Sequence, residues 1–275
     1  MTLARPAAAR PAPAARGRVQ PLAMGLAMRL AMRLAGAVLA SAACQAGAAE
    51  PGEFKLTLGR YRLAGSDGVT AEGSDLNLRW RRGGRTLWLG VYQDGDVGRQ
   101  ARLGYDDQWL LHDDATLPVQ WLPSLQVASG GFVGGSLAVQ AGAPFYAQIG
   151  IGRTNLRPYA NLNFDPNDAL TLVLGWQGEG GRQLSVSVIA DDRLGTGQQH
   201  HHLTLRWPLS GLGSDPLRVS ADLLHKQGQG DTGPVRAWGW SLGLDGSAWF
   251  GRLARDPRQN FSAQDAWRVS VGRRF

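Results

Sequence analysis

Cysteine is nearly absent from this chain of 275 residues: Cys44 is the only one. That excludes a disulfide scaffold and a cysteine-based zinc site. Acids are missing from residues 1–48, a stretch that holds Arg5, Arg10, Arg16, Arg18, Arg29 and Arg33. Taking those six from the formal net charge of +7 leaves +1. The body of the chain is therefore near neutral, and the sequence pI of 10.3 is no argument for nucleic-acid binding. From Phe54 onward no apolar run approaches the length of a membrane-spanning helix. No long segment keeps the i, i+3, i+4 spacing of an amphipathic helix either. The 38 glycines follow no three-residue period, which excludes collagen, and 10 tryptophans argue against wholesale disorder.

What is present begins with a targeting signature. Arg29 and Arg33 precede the apolar stretch Leu34–Ala40, and Ala46-Gly47-Ala48 forms an A-x-A cleavage pattern, with Ala40-Ser41-Ala42 as a second candidate. Residues 1–48 are expected to be a signal peptide whose translation starts at Met24 or Met28. Cys44 leaves with it. Residues 49–275 show no composition shift and are read as one domain.

Along that domain the recurring period is two. Leu76, Leu78 and Trp80 alternate with Asn77, Arg79 and Arg81; Leu203, Leu205 and Trp207 alternate with His202, Thr204 and Arg206. Leu170–Trp176, Leu184–Val188, Leu217–Leu223, Trp238–Leu244 and Trp267–Val271 repeat the pattern, as does Asn155–Phe164. Each is expected to be a strand with one apolar and one polar face. Arg82-Gly83-Gly84, Gly178–Gly181 and Asp245-Gly246 are hairpin chemistry. Longer polar connections are expected at Ala64–Ser74, Asp191–Gln198, Lys226–Pro234 and Arg255–Ala263. Short turns then gather at one rim and long loops at the other.

A soluble sandwich would bury the apolar faces. Here those faces carry Trp80, Trp176, Trp207 and Trp267 at strand ends, which is where a membrane interface favours aromatics. In lipid, every backbone N–H and C=O must be paired, so such a sheet has to close. The expected fold is an all-β, closed antiparallel transmembrane β-barrel of about 12 strands, with 14 as the alternative. Fifteen candidate segments exceed either number. Residues 99–111, interrupted by Asp106-Asp107, and 119–141, with Ser129-Gly130-Gly131, are the candidates for merging.

The ending Trp267-Arg268-Val269-Ser270-Val271-Gly272-Arg273-Arg274-Phe275 resembles the C-terminal strand of bacterial outer-membrane β-barrels, with Arg273 as its one departure. The resemblance implies a Gram-negative outer-membrane location and a surround of outer-membrane lipid. It also implies recognition of Trp267, Val269, Val271 and Phe275 by the barrel assembly machinery, and closure of the last strand on the first.

On the polar faces, Arg79, Arg81, Arg157, Arg206, Arg218 and Arg268 suggest a guanidinium ring that favours anions. The ladder Asn155, Arg157, Tyr159, Asn161 and Asn163 is either a recognition strip for a polar solute or an internal network that fills the barrel. The leading expectation is a small non-enzymatic channel for polar or anionic solutes, with no cofactor and no metal. A lipid-modifying hydrolase using His202 or His200 with Ser220 and Asp222 is the second, although the His-x-Ser-Asn-Gly arrangement of outer-membrane phospholipases is missing. A structural or surface-interaction barrel with a plugged lumen is the third.

Overall fold

The computed structural model describes residues 52–65, 68–95, 98–155, 157, 159, 160, 162, 168–209 and 217–275; the expected signal peptide lies outside them. The strands are β1 (Glu53–Gly65), β2 (Thr70–Arg82), β3 (Arg85–Asp94), β4 (Gly98–Asp106), β5 (Trp109–His112), β6 (Val119–Ala128), β7 (Phe132–Ala141) and β8 (Phe145–Thr154). They continue as β9 (Ala169–Gly178), β10 (Arg182–Asp191), β11 (Gln199–Leu209), β12 (Leu217–Gly230), β13 (Gly233–Asp245), β14 (Trp249–Asp256) and β15 (Gln264–Arg274). Neighbours in sequence pair antiparallel, except β4 and β5. β1 also pairs with β15, and β4 with β6, so the sheet closes on itself.

The closed barrel has 14 strands, the larger of the two expected numbers. β5 adds no fifteenth member to the ring. It follows β4 along the same edge of β6, with Tyr105 opposite Leu125 and Trp109 opposite Trp121 in unbroken register. The break at Asp107 is bridged by its own N–H, which donates to the Pro123 carbonyl at 3.0 Å. Residues 98–112 thus form one interrupted stave, while Ser129–Gly131 is a true turn with Gly130 and Gly131 at positive φ.

Parity sets the two faces. Ile149 and Leu174, 64% and 57% exposed, belong to an outward belt that also holds Leu58, Leu76, Val186 and Leu242. Aromatics flank it: Trp80, Trp176, Trp207, Trp249 and Phe275 near the rim that carries Glu53 and Arg274, and Trp238 and Trp267 near the other. Trp88 is an exception. It lies opposite Arg79 and Gly104 and points into the lumen.

Two expected connections are mostly strand. β1 and β2 leave only residues 66–69 between them, and β12 and β13 only 231–232. Polar residues such as Glu72 and Gln227 do not break extended backbone; they carry the strands past the apolar band. The larger correction concerns Asn155–Phe164. Its described residues (155, 157, 159, 160 and 162) belong to no strand. β8 ends at Thr154, and Pro158 has no N–H for a ladder.

Inside the wall, lumen aromatics lie over glycines of the next strand: Trp88 on Gly104, Tyr146 on Gly175, Phe250 on Gly272. A Cβ on Gly272 would collide with both the Phe250 ring and the Leu56 carbonyl oxygen. Because one obstacle is backbone, relief requires moving the β1–β15 seam. Gly272→Ala is expected to cost about 1–3 kcal/mol, measured by urea unfolding of the vesicle-folded barrel. A midpoint equal to wild type would show that the seam has slack.

Candidate functional site: the lumen

The lumen chemistry follows from register. One row of facing residues runs Asp75, Gly59, Ser270, Arg252, Gly243, Ser220, Arg206 and Gln183 across eight strands. The next row holds Tyr61, Arg268, Ala254, Ser241, Asp222 and Thr204. Glycines and serines between the charged positions leave room for the long side chains to cross the interior.

Asp75 is the anchor of this belt. It is buried, it accepts a hydrogen bond from Arg102 Nη2, and Arg268 Nη2 lies 3.7 Å from its other oxygen. Arg268 also covers the Tyr61 ring at 5.1 Å. Arg79 bonds to Asn77 Oδ1 (3.2 Å) and is within electrostatic range of Asp75, Asp106, Arg102 and Arg268. Arg252 donates to Ser241 Oγ (2.8 Å) and interacts electrostatically with Arg268, Asp222 and Arg206. Five arginines (79, 102, 206, 252 and 268) therefore share the mid-lumen with three carboxylates, Asp75, Asp106 and Asp222. The arginines are in excess, and Arg79 and Arg206 are exposed to the interior.

Of the residues expected to line the lumen, Arg79, Arg206 and Arg268 stand in this belt. Arg81 and Arg218 share the inward parity but sit at the terminus-side ends of β2 and β12, opposite Glu53 and Asp245 respectively. The ring is thus spread over the barrel's height. Arg102, Arg252 and Asp75 were missed. Gln100 and Arg102 alternate with Ala101 and Leu103, so parity contained the signal.

Arg157 and Tyr159 do not extend a wall strand. Tyr159, Ala160 and Leu162 lie against inward residues of the wall. The Tyr159 ring stacks on Phe132 (centroids 4.1 Å apart), and its hydroxyl donates to Gln126 Oε1 at 3.3 Å. The Ala160 N–H donates to Gln100 Oε1 (3.0 Å), and Arg268 Nη1 donates to the Leu162 carbonyl (3.3 Å). Ala160 and Leu162 are buried against Tyr61 and Tyr92. The Arg157 side chain is exposed. Asn161 and Asn163 lie outside the described residues. Asp168 holds the base of the segment: fully buried, it accepts from the Thr154 N–H (3.1 Å) and Oγ1 (2.8 Å), and Arg193 lies 3.3 Å away.

The histidine cluster separates. His202 Nδ1 lies 3.0 Å from Asp222 Oδ1, and Asp222 also accepts from Thr204 Oγ1 (2.8 Å). Ser220 is not with them. It faces Arg206, whereas His202 faces Leu224, four residues along β12, an offset of about 13 Å. No nucleophile–base contact forms between Ser220 and His202. His200 points inward against Phe261 (5.3 Å, stacked) beside the buried Lys226–Asp256 pair, and His201 and His225 point outward. Among the described residues no group of three metal-ligating side chains assembles.

No family model matches the chain, and no curated protein matches it. Several solved structures resemble it. The outer membrane protein Omp33 of Acinetobacter baumannii is 10% identical, with 81% of this chain and 98% of that one covered and a TM-score of 0.47. The translocator domain of the autotransporter NalP from Neisseria meningitidis is 12% identical, with 91% and 97% covered and a TM-score of 0.41. The NanC porin is 12% identical, with 78% and 98% covered and a TM-score of 0.40.

Proposed function

We propose that this chain is an integral β-barrel of a bacterial outer membrane and that it passes small anionic solutes through a constricted lumen. The outward aliphatic belt between two aromatic girdles supports the membrane placement. The single observation that carries the transport reading is the mid-lumen belt, in which Arg79, Arg102, Arg206, Arg252 and Arg268 outnumber Asp75, Asp106 and Asp222. Fixed cations in a narrow pore attract anions and exclude cations of similar size. Arg157, on the inward segment, and Arg218, nearer the terminus-side rim, would extend the attractive path. Trp267, Val269 and Val271 on the outward face of β15, with Phe275 just after it, would be the feature read by the assembly machinery.

A second reading is favoured by one observation. Ala160 and Leu162 pack against the inward Tyr61 and Tyr92, as expected of a barrel that its own segment keeps shut. Planar-bilayer recording separates the two. The channel reading expects discrete conductance steps in potassium chloride and a reversal potential shifted toward that of chloride under a salt gradient. A shift toward potassium would overturn the anion assignment, and a silent bilayer would favour the plugged barrel.

A further inference from the structure

The outer face carries arginines as well as aliphatics, and most that are near an acid use it. Arg60 pairs with Glu72, Arg85 lies 3.6 Å from Asp107, and Arg255 lies 3.7 Å from Asp265. Arg182 and Arg273 differ from these, and from Arg82, which also stands outward at the terminus rim opposite Arg85, in what they lie against. Both have outward parity at the rim that carries the termini, and among the described residues neither has a carboxylate partner. Each instead lies over a tryptophan: Arg182 Cζ is 4.9 Å from the Trp207 ring centroid, and Arg273 Cζ is 5.3 Å from that of Trp249. Arg273 is also the residue at which the closing strand departs from the outer-membrane pattern, and lumen chemistry gives it no task.

Arg273 edges an apolar hollow on the outer face where β14, β15 and β1 meet, lined by Leu56, Leu58, Trp249, Val271 and Phe275. Leu56 is opposite Arg273, and Leu58 is opposite Val271, two residues deeper in the belt. The order from rim to midplane is thus cation first, then hydrocarbon. A phospholipid has the complementary order, phosphate and then acyl chain. A guanidinium resting on an indole face can still present N–H donors for a two-point contact with a phosphate.

We propose that the Arg273–Trp249 hollow is a binding site for an anionic phospholipid, with phosphate on the guanidinium and one acyl chain against Leu56, Leu58 and Val271. Arg182–Trp207 is a second headgroup contact of the same kind. The proposal rests on the membrane-barrel reading and is independent of whether the lumen conducts.

The test is native mass spectrometry of the folded full chain, released from micelles doped with equal amounts of dioleoylphosphatidylglycerol and dioleoylphosphatidylcholine. Wild type is expected to retain the anionic lipid about fivefold more than the zwitterionic one for each uncompensated arginine. Arg182→Gln/Arg273→Gln should lower that preference at least about fivefold, and Arg60→Gln should keep it. Equal retention of the two lipids by wild type would overturn the proposal without any variant, and so would an undiminished preference in the double variant. A chain that stays dissolved without detergent would overturn the membrane reading together with this one. A lipid preference in a barrel that conducts nothing would leave the site standing while the channel reading fell.

Discussion

Lys226→Met is expected to destabilise the barrel by about 3–5 kcal/mol, the largest effect of any single side chain considered. Lys226 and Asp256 have no exposed side-chain surface. The ammonium donates to Asp256 Oδ1 and, at 3.2 Å, to the carbonyl of Arg258. Removing it leaves a carboxylate without water or counter-ion beside the Phe261 ring, itself 5.7 Å from the ammonium. It also removes one of the contacts that hold Arg258, which together with Asn260 and Phe261 has left-handed backbone in the 257–263 connection. Positive φ in three non-glycine residues persists only where the surroundings over-determine it. Replacing both partners, Lys226→Met/Asp256→Leu, should recover most of the loss, because the orphaned charge disappears with its partner. Urea titration of vesicle-folded protein, followed by tryptophan fluorescence, measures this. A single variant within about 1 kcal/mol of wild type, or a double variant no better than the single, would show that the pair is solvated.

Asp168→Ala is the counterpart for function. The buried carboxylate satisfies the Thr154 N–H, the Thr154 hydroxyl and the Arg193 guanidinium, and so ties the end of β8 to the start of β9. Losing those contacts to a buried carboxylate costs about 2–4 kcal/mol. At 1.4 kcal/mol per factor of ten, the released form of the segment becomes at least about 30-fold more populated. Single-channel recordings should then show a larger conductance state that is rare or absent in wild type. If the wild-type barrel is silent and the variant conducts, the inward segment is the plug. Identical traces would mean that residues 157–162 do not control the pore.

Much of the architecture was legible because the strand period is two, and parity alone sorts Leu76, Leu78 and Trp80 from Asn77 and Arg79. The outward tryptophans at strand ends and the interruption at Asp106-Asp107 were legible for the same reason. What parity cannot supply is contact between strands. The pairing of Asp75 with Arg102 spans β2 and β4, and that of Lys226 with Asp256 spans β12 and β14. Each depends on stagger, which no single segment encodes. The segment Asn155–Phe164 shows the opposite failure. Its alternation is genuine, but residues packed inside a barrel also meet different surroundings in turn. Ala160 and Leu162 press on tyrosines, while Arg157 is exposed. The His202–Asp222 contact was foreseen as a neighbourhood, but the placing of Ser220 was not, since one β-strand can carry both residues on a common face and still hold them too far apart to react.

The seam between β1 and β15 has a consequence for biogenesis. Phe54 and Phe275 exchange both backbone hydrogen bonds, at 2.8 and 3.0 Å, and their rings stack 6.0 Å apart. The first stave made therefore waits, unzipped, for the last. Every earlier stage of synthesis leaves two raw edges able to adhere to other chains. Sealing joins the first strand to the last, so the loop it closes is the longest in the barrel and carries the largest closure entropy.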